Sequence, residues 1–355
     1  MLELEQLIER AQEAGASDIH IVCGLPVKVR VHGVISPLEG AEEPLTHDDC
    51  ERYALALAGE QYESMKEIGE IDLAKSFSCG ARTRVNIFRQ RGSTSAAIRI
   101  LSDHIPEIEE LQLPAVISEF PEYRSGIVLV TGETGSGKST TLAALLNRIN
   151  NTRKGHIITL EDPIEYIYKP VQCVINQREI GTDTRSYADG LRSILREDPD
   201  VILIGEMRDL ATIETALTAA ETGHLVFATL HTNSAADSID RMVNVFPEGQ
   251  QRQIRLQVST TLRAVVSQQL VPRKNGGGRI VACEIMVVNN AIRNIIREGK
   301  TPQIDSYITM NAQNGSITMD NALQKLVRDG LISSETAISC CRDREAFAAS
   351  INRRF

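Results

Sequence analysis

The first hundred residues carry hydrophobic positions first at helical spacing and then at strand spacing. Residues 2–14 place Leu4, Leu7 and Ile8 on one helical face, and Gly15 follows as a stop. Strands are predicted at residues 18–22, 27–31, 70–78, 82–90 and 94–101, and a second helix over residues 47–62. Together these elements predict a small α/β domain over residues 1–101 that is built on an antiparallel sheet.

A different pattern begins after a stretch with three prolines and several acids, residues 102–121, whose composition favours a linker. Beyond it, strands are predicted at 127–131, 156–160, 201–204 and 225–230, and helices at 138–150, 184–196, 210–221 and 234–244. This alternation predicts a mostly parallel sheet with both faces covered, in a second domain over residues 122–355. After residue 250 we expect a helix over 251–269, a strand pair around 276–278 and further helices to the end.

Composition narrows the function classes. The 355 residues are 42% hydrophobic and 24% charged, and no apolar run approaches the roughly 20 residues of a membrane span. The formal net charge of −9 and an aromatic content of 4% argue against a nucleic-acid binder, which needs basic surface and stacking rings. The N-terminus lacks the features of a secretory signal. Seven scattered cysteines without a C-x-x-C argue against a disulfide framework and a zinc site, and favour a reducing cytosol.

A phosphate-binding loop lies between the first predicted strand and the first predicted helix of the second domain. The pattern G-x-x-x-x-G-K-[ST] is matched in full by Gly132, Glu133, Thr134, Gly135, Ser136, Gly137, Lys138 and Ser139, and Thr140 follows in the helix. The glycines let successive backbone N–H groups point at the phosphates, Lys138 adds a full charge, and the Ser139 hydroxyl coordinates Mg²⁺. The sequence therefore predicts a site for ATP and Mg²⁺.

A carboxylate beside the phosphates is predicted at the end of a neighbouring strand. Residues 201–204 are followed by Gly205 and Glu206, and Glu206 would hold Mg²⁺ directly or through water. The alternative is an ordinary acid at the end of a strand, paired with Arg208. Given the phosphate loop, we favour the Mg²⁺ interpretation.

Three acids around a proline turn follow the strand at residues 156–160. A hydrolytic ATPase needs a carboxylate to orient and deprotonate the attacking water. Glu161 and Glu165 are both candidates for this base. The alternative is a solvated turn with no catalytic role.

Two histidines bracket the predicted strand at residues 225–230. His231, at its C-terminal end, faces the crevice in which parallel sheets bind ligands and is predicted to sense or contact the γ-phosphate. His224 lies at the opposite end, where a structural role or an interface is expected. Neither belongs to a Cys/His cluster, so no metal site is predicted there.

Charge is distributed unevenly along the chain. Residues 1–120 hold 11 Lys/Arg and 21 Asp/Glu, whereas the remaining residues hold 27 and 26, which places a boundary near 110–120. Inside the acidic part, an acid-free stretch at 73–102 contains Lys75, Arg82, Arg84, Arg89, Arg91 and Arg99. These arginines either form surface salt bridges within their own domain, or some of them reach a nucleotide on the second domain or on a neighbouring subunit. Composition does not decide between the two.

These elements, in this order, resemble the secretion ATPase superfamily of type II secretion and type IV pili, and most closely its pilus retraction ATPases. The resemblance runs over nearly the whole chain and rests on residues 15–20 and 24–26, the Asp box at 161–165, the Walker B region at 196–209, the His box at 223–233 and an Ala-Ile-Arg-Asn motif at 291–294. It implies a PAS-like domain over residues 1–101, the linker at 102–121, and a RecA-like ATPase domain with a C-terminal helical region over 122–355.

The resemblance also implies a homohexameric ring at the cytoplasmic face of the inner membrane, working with a platform protein of the pilus. ATP would lie between the two domains, with Arg84 and Arg99 as the first choices for contacting it and Arg82 next. The base would come from the Asp box, where we favour Glu165 over Glu161 without excluding either.

Four functions are compatible with a chain that carries this phosphate loop. A retraction motor is favoured over an assembly or type II secretion ATPase, because those members often carry a tetracysteine zinc motif and a longer N-terminal extension, and we expect neither here. An accessory retraction ATPase stays open beside the retraction motor. A RecA-like nucleic-acid translocase is disfavoured by the charge and the low aromatic content. A ring that binds ATP without cleaving it is disfavoured by the acids at 161, 165 and 206.

Overall fold

Two structural units divide the chain in the computed structural model, which describes residues 2–31, 33–101 and 104–352. The first unit comprises Met1–His104 together with Pro163–Ile167, and the second comprises Ile105–Asp162 and Tyr168–Phe355. The stretch expected to be a linker belongs to the second unit from Ile105 onward, and the Ile117 and Phe120 side chains are buried there.

The first unit is an antiparallel sheet packed against helices. Its strands are β1 (Asp18–Ile21), β2 (Lys28–Val31), β3 (Val34–Pro37), β4 (Glu70–Ser76), β5 (Arg82–Gln90) and β6 (Ser93–Leu101), in the order β3-β2-β1-β6-β5-β4. Its helices are α1 (Leu4–Glu13), α2 (His47–Ala58) and α3 (Tyr62–Ile68). The antiparallel α/β prediction is confirmed, although β3 was not predicted because all four of its residues are exposed and its pattern has no apolar face.

The second unit is built on a seven-stranded sheet in the order β13-β12-β7-β11-β10-β8-β9. The strands are β7 (Gly126–Thr131), β8 (His156–Glu161), β9 (Val174–Glu179), β10 (Val201–Ile204), β11 (Leu225–Leu230), β12 (Leu262–Pro272) and β13 (Arg279–Val287). All neighbouring pairs are parallel except β12 and β13. This confirms the predicted mostly parallel sheet. The central strands β7, β10 and β11 are buried along their whole length, as expected for strands covered on both faces.

Ten α-helices of the second unit lie within its described residues. They are α4 (Lys138–Thr152), α5 (Tyr187–Ile194), α6 (Leu210–Glu221), α7 (Ala235–Asn244), α8 (Glu248–Thr261), α9 (Asn290–Glu298), α10 (Ile304–Met310), α11 (Met319–Arg328), α12 (Ser334–Cys340) and α13 (Arg344–Asn352). The last three form a small satellite core with the β12–β13 hairpin, in which Ile280, Leu323 and Ala337 are buried. None of the helices in the described part of the chain combines the length and the apolar character needed to cross a membrane.

The helix predicted over 251–269 is wrong in its second half. Helix α8 ends at Thr261, and the chain continues as strand β12 between β7 and β13. Ala264, Val265 and Val266 are consecutive and all buried, because both faces of this strand are covered. A strand buried on both faces loses its alternation, so its apolar residues also satisfied the helical period.

Candidate functional site

Parallel pairing brings most of the predicted site residues of the second unit to one edge of the sheet. Strands β7, β8, β10 and β11 run in the same direction, so their carboxyl ends meet at that edge. The phosphate loop follows β7, Glu161 ends β8, and Glu206 and His231 follow β10 and β11. Residues that are far apart in sequence thus share one edge of the sheet.

The first position of the phosphate loop, Gly132, has no room for a side chain. Gly132 has a φ of +139°, and a Cβ there would lie 2.4 Å from the Gln268 carbonyl oxygen. The ammonium of Lys138 curls back over the loop and donates to the carbonyl oxygens of Gly132 at 2.8 Å and Glu133 at 2.9 Å. Helix α4 begins after Gly137 without a side-chain cap, and the partial positive charge of such a helix N-terminus favours an anion.

One buried hydroxyl in the loop indicates that the loop is built for an anion. Ser136 is 5% exposed, and its Oγ has no hydrogen-bond partner within the described residues. Buried polar groups are nearly always paired, so an acceptor from a ligand is the expected partner. A cavity of about 370 Å³ adjoins this hydroxyl and is lined by Glu133, Thr134 and Gly135. The exposed Ser139 hydroxyl lies in the first turn of α4, where it is available to a metal ion.

The Glu206 carboxylate lies in a strongly positive environment. Its oxygens pair with the Arg208 guanidinium, with two N···O distances of 2.6 Å, and His231 Nε2 lies 3.4 Å from Oε1. Burial acts to raise the pKa of this carboxyl, but the hydrogen bond from Arg208 and the charges of His231 and Lys138 lower it overall. The carboxylate therefore pairs with Arg208, as the simpler interpretation expects, and also lies within the field of the loop lysine.

Gly205 lets the ends of β8 and β10 approach closely. A Cβ at this position would lie 2.9 Å from the Tyr187 hydroxyl oxygen and 3.0 Å from the Leu160 carbonyl oxygen. The Gly205 carbonyl accepts a hydrogen bond from the Thr229 hydroxyl of β11, and its N–H donates to Leu160 at 2.7 Å. These contacts fix the direction in which the chain leaves β10 toward Glu206.

Tyr187 is a site residue that the sequence did not indicate. Burial raises the pKa of its hydroxyl, and the charges of the neighbouring Asp162, Glu206 and Glu161 raise it further. The hydroxyl therefore stays protonated at neutral pH in the neighbourhood of these three carboxylates. Tyr187 is the first residue of α5, and no motif distinguishes it from an ordinary aromatic core residue.

The two candidate bases have different surroundings. Glu161 is 9% exposed, and its Oε1 accepts hydrogen bonds from the Thr159 hydroxyl at 2.6 Å and the Gln177 amide at 3.2 Å. Glu165 is half-buried and belongs to Pro163–Ile167, the segment assigned to the first unit. Glu161 is therefore held as a structural acceptor, whereas the Glu165 carboxylate is partly open to solvent.

The three favoured arginines have three different environments within the first unit. Arg82 donates from Nε to the Ile164 carbonyl oxygen at 2.9 Å, directly beside Glu165. Arg99 pairs with Asp18 at 3.0 Å. Arg84 is exposed and lies directly opposite Arg99 in the β5–β6 pair, and its side chain makes no hydrogen bond or ion pair with any residue in the described ranges.

The two histidines around β11 also differ. His231 contacts Glu206, as described above, and its side chain is 42% exposed. His224 is bound within the turn between α6 and β11, where its Nδ1 lies 2.8 Å from the Ala219 carbonyl oxygen and 3.2 Å from the Thr222 hydroxyl. These contacts agree with the structural role expected for His224.

Comparison with known proteins gives consistent matches over most of the chain. The family model described as "Type II/IV secretion system protein" matches residues 2–277. The chain is 45% identical to "Type IV pilus retractation ATPase PilT" of Pseudomonas aeruginosa over 95% of this chain and 97% of that protein. It is 48% identical to "Twitching motility protein" of Neisseria gonorrhoeae over 79% of this chain and 75% of that protein. The crystal structure of "the Pilus Retraction Motor PilT and Bound ADP" matches with a TM-score of 0.91 and 46% identity, covering 98% of this chain and 99% of that one.

Gly205→Ala is expected to lower the free energy of unfolding by about 1–3 kcal/mol, because the added methyl overpacks the contact with Tyr187 and Leu160. The matched control is Gly249→Ala in α8, where a Cβ would meet nothing within 4 Å and stability is expected to stay or rise by up to about 1 kcal/mol. Urea unfolding of both variants measures the difference. Equal stabilities would contradict the close approach at Gly205.

Proposed function

This chain belongs to the type II/IV secretion system protein family, and we propose that it is an ATP-hydrolysing motor that retracts a type IV pilus. The observation that carries the proposal is the complete phosphate loop with its unpaired buried Ser136 hydroxyl, at the same sheet edge as Glu206 and His231. Relatives matched over most of this chain are named for pilus retraction and twitching motility, and one solved relative holds ADP.

Nucleotide binding would replace internal contacts of the loop with contacts to phosphate. Lys138 would exchange the Gly132 and Glu133 carbonyl oxygens for phosphate oxygens, which carry full negative charge. The uncapped N-terminus of α4 would donate its first N–H groups, and the Ser136 hydroxyl would gain an acceptor. The loop therefore has its donors arranged before the ligand arrives.

The donor set at this edge fits Mg²⁺. The Ser139 hydroxyl and the Glu206 carboxylate are hard oxygen ligands, and the lowered pKa of Glu206 keeps that carboxylate ionised at neutral pH. Mg²⁺ bound there would neutralise charge on the phosphates. Arg208 pairs with the same carboxylate and so orients it before metal binding.

We assign the general base to Glu165. The Glu161 carboxylate already accepts two hydrogen bonds in a buried position, which favours a supporting role. Arg82 holds the carbonyl of Ile164 and so positions the base through its neighbouring peptide. His231, beside Glu206, would report on the γ-phosphate.

Arginines of the first unit and assembly into a homohexamer are the remaining parts of the proposed function. Arg84 and Arg99, with Arg82, would neutralise charge on the transferred phosphoryl group. Arg84 is our first choice of the three, because its side chain is exposed and has no hydrogen-bond or ion-pair partner within the described ranges. The chain would act as a homohexamer at the cytoplasmic face of the inner membrane and would contact the platform protein of the pilus. A sequence with no nucleic-acid signature fits this protein partner.

Lys138→Ala is expected to reduce ATP hydrolysis to background while the fold is retained, because it removes the charge that the loop presents to the phosphates. Phosphate release measures turnover, and far-UV circular dichroism confirms the fold. Lys154→Ala, an exposed lysine outside the loop, is the matched control and should hydrolyse ATP normally. Undiminished activity of the Lys138 variant would refute the site.

Loss of the gene in a piliated bacterium that carries it is expected to increase surface pili and abolish twitching, because assembly continues while retraction stops. Electron microscopy counts the pili, and plate assays score the twitching. An absence of pili would instead identify an assembly motor.

Glu165→Gln is expected to lower ATP turnover by at least about 10²-fold with nucleotide affinity retained, because a general base typically contributes that much. Glu161→Gln is the matched change. It should lower the melting temperature and retain most of the turnover, since Glu161 is a buried acceptor. Phosphate release and binding of a fluorescent nucleotide separate these effects. Loss of turnover in the Glu161 variant alone would assign the base to Glu161.

A further inference from the structure

The C-terminal helical region supplies one wall of the cavity beside the phosphate loop. On one side of this cavity of about 370 Å³ lie Glu133 and Ser136, and on the other lie Ser339 and Cys340, at the end of α12. The unpaired Ser136 hydroxyl adjoins the same space. A segment about 200 residues from the loop in sequence thus borders the place where a phosphate is expected to bind.

Arg342, two residues beyond Cys340, ties this wall to three other elements. Its guanidinium pairs with Asp305 of α10 at 2.6 Å and with Glu284 of β13 at 3.3 Å. Its backbone N–H donates to the Asp320 carboxylate of α11 at 3.0 Å. The connection between α12 and α13 is therefore anchored at a single residue with several partners.

The Glu284 end of this anchor also reaches the loop that carries His231. The Glu284 side chain is fully buried, and its Oε1 accepts a hydrogen bond from the N–H of Ala235, the first residue of α7, at 2.9 Å. Ala235 follows His231 by four positions. Burial raises the pKa of Glu284 although the charge of Arg342 opposes it, so this carboxyl is costly to keep where it is. The Glu284 carboxylate thus contacts both Arg342 and the first residue of α7.

We propose that Arg342 is a positioning residue that holds the Ser339–Cys340 wall against the phosphate cavity and thereby slows release of the product nucleotide. The inference rests on the proposed function, because it requires that nucleotide occupies this cavity. Breaking the anchor frees the wall and leaves Glu284 without its cation, which also loosens the start of α7. The coupling therefore acts on product retention and does not involve contact between Arg342 and the nucleotide.

The release rate of a fluorescent ADP analogue, mant-ADP, tests the proposal. Arg342→Met is expected to raise this rate by at least about 5-fold, the low end of typical coupling between sites, and Arg342→Lys should restore part of the retention. Arg328→Met is the matched control, since Arg328 is exposed on α11 and its side chain forms an ion pair only with its neighbour Asp329 among the described residues. Equal release rates in the wild type and Arg342→Met would overturn the proposal.

A second measurement uses the wild-type protein and so does not depend on the folding of a variant. ADP is expected to slow alkylation of Cys340, which lines the cavity, more than that of the adjacent Cys341, whose thiol faces the Ile338 carbonyl oxygen. Peptide mass spectrometry reads both sites. If ADP slowed alkylation of the two cysteines equally, the proposal that Ser339 and Cys340 border bound nucleotide would be wrong. Failure of the wild type to bind mant-ADP at all would instead refute the proposed function, and with it the inference.

Discussion

The arrangement of the second unit depends on a concentration of hydrogen-bond donors in the turn between β7 and α4. The N-terminus of α4, the Lys138 ammonium and the Ser136 hydroxyl all lie there, and the Ser136 hydroxyl has no hydrogen-bond partner among the residues that the structure describes. Such a cluster is stable only if the loop is held rigidly by its surroundings. Buried β7 on one side and β12, whose Gln268 backbone crowds Gly132, on the other provide that support.

Parallel strand pairing explains why acidic residues from separate motifs meet beside this turn. The residues that follow each parallel strand lie at the same edge of the sheet. The Gly205 contacts fix the direction in which the chain leaves β10. A cationic loop and a set of carboxylates therefore lie near each other, and their charges affect each other's pKa values. Burial and the neighbouring carboxylates raise the pKa of Tyr187, whereas burial raises the pKa of Glu206 and the cations around it lower that pKa overall.

Much of this could be predicted because the local signals agreed with the tertiary structure. The strand–loop–helix context of residues 127–150 and the period-two pattern of β5 were both sufficient from sequence. Strand β12 was not, because burial on both faces removes alternation. Tyr187 was not, because its place among the surrounding carboxylates depends on the tertiary structure. The burial of Glu161 and the partial exposure of Glu165 were not predicted from sequence either, and the assignment of the base to Glu165 stays a prediction.

The facing pair Arg84 and Arg99 has a consequence for the first unit itself. Like charges directly opposite each other on neighbouring strands repel and weaken the pairing of β5 with β6. Asp18 offsets only the Arg99 side of this repulsion. A polyanion that binds this face would neutralise the remaining repulsion between Arg84 and Arg99. Because such a ligand binds only the folded sheet, it would raise the melting temperature of the first unit.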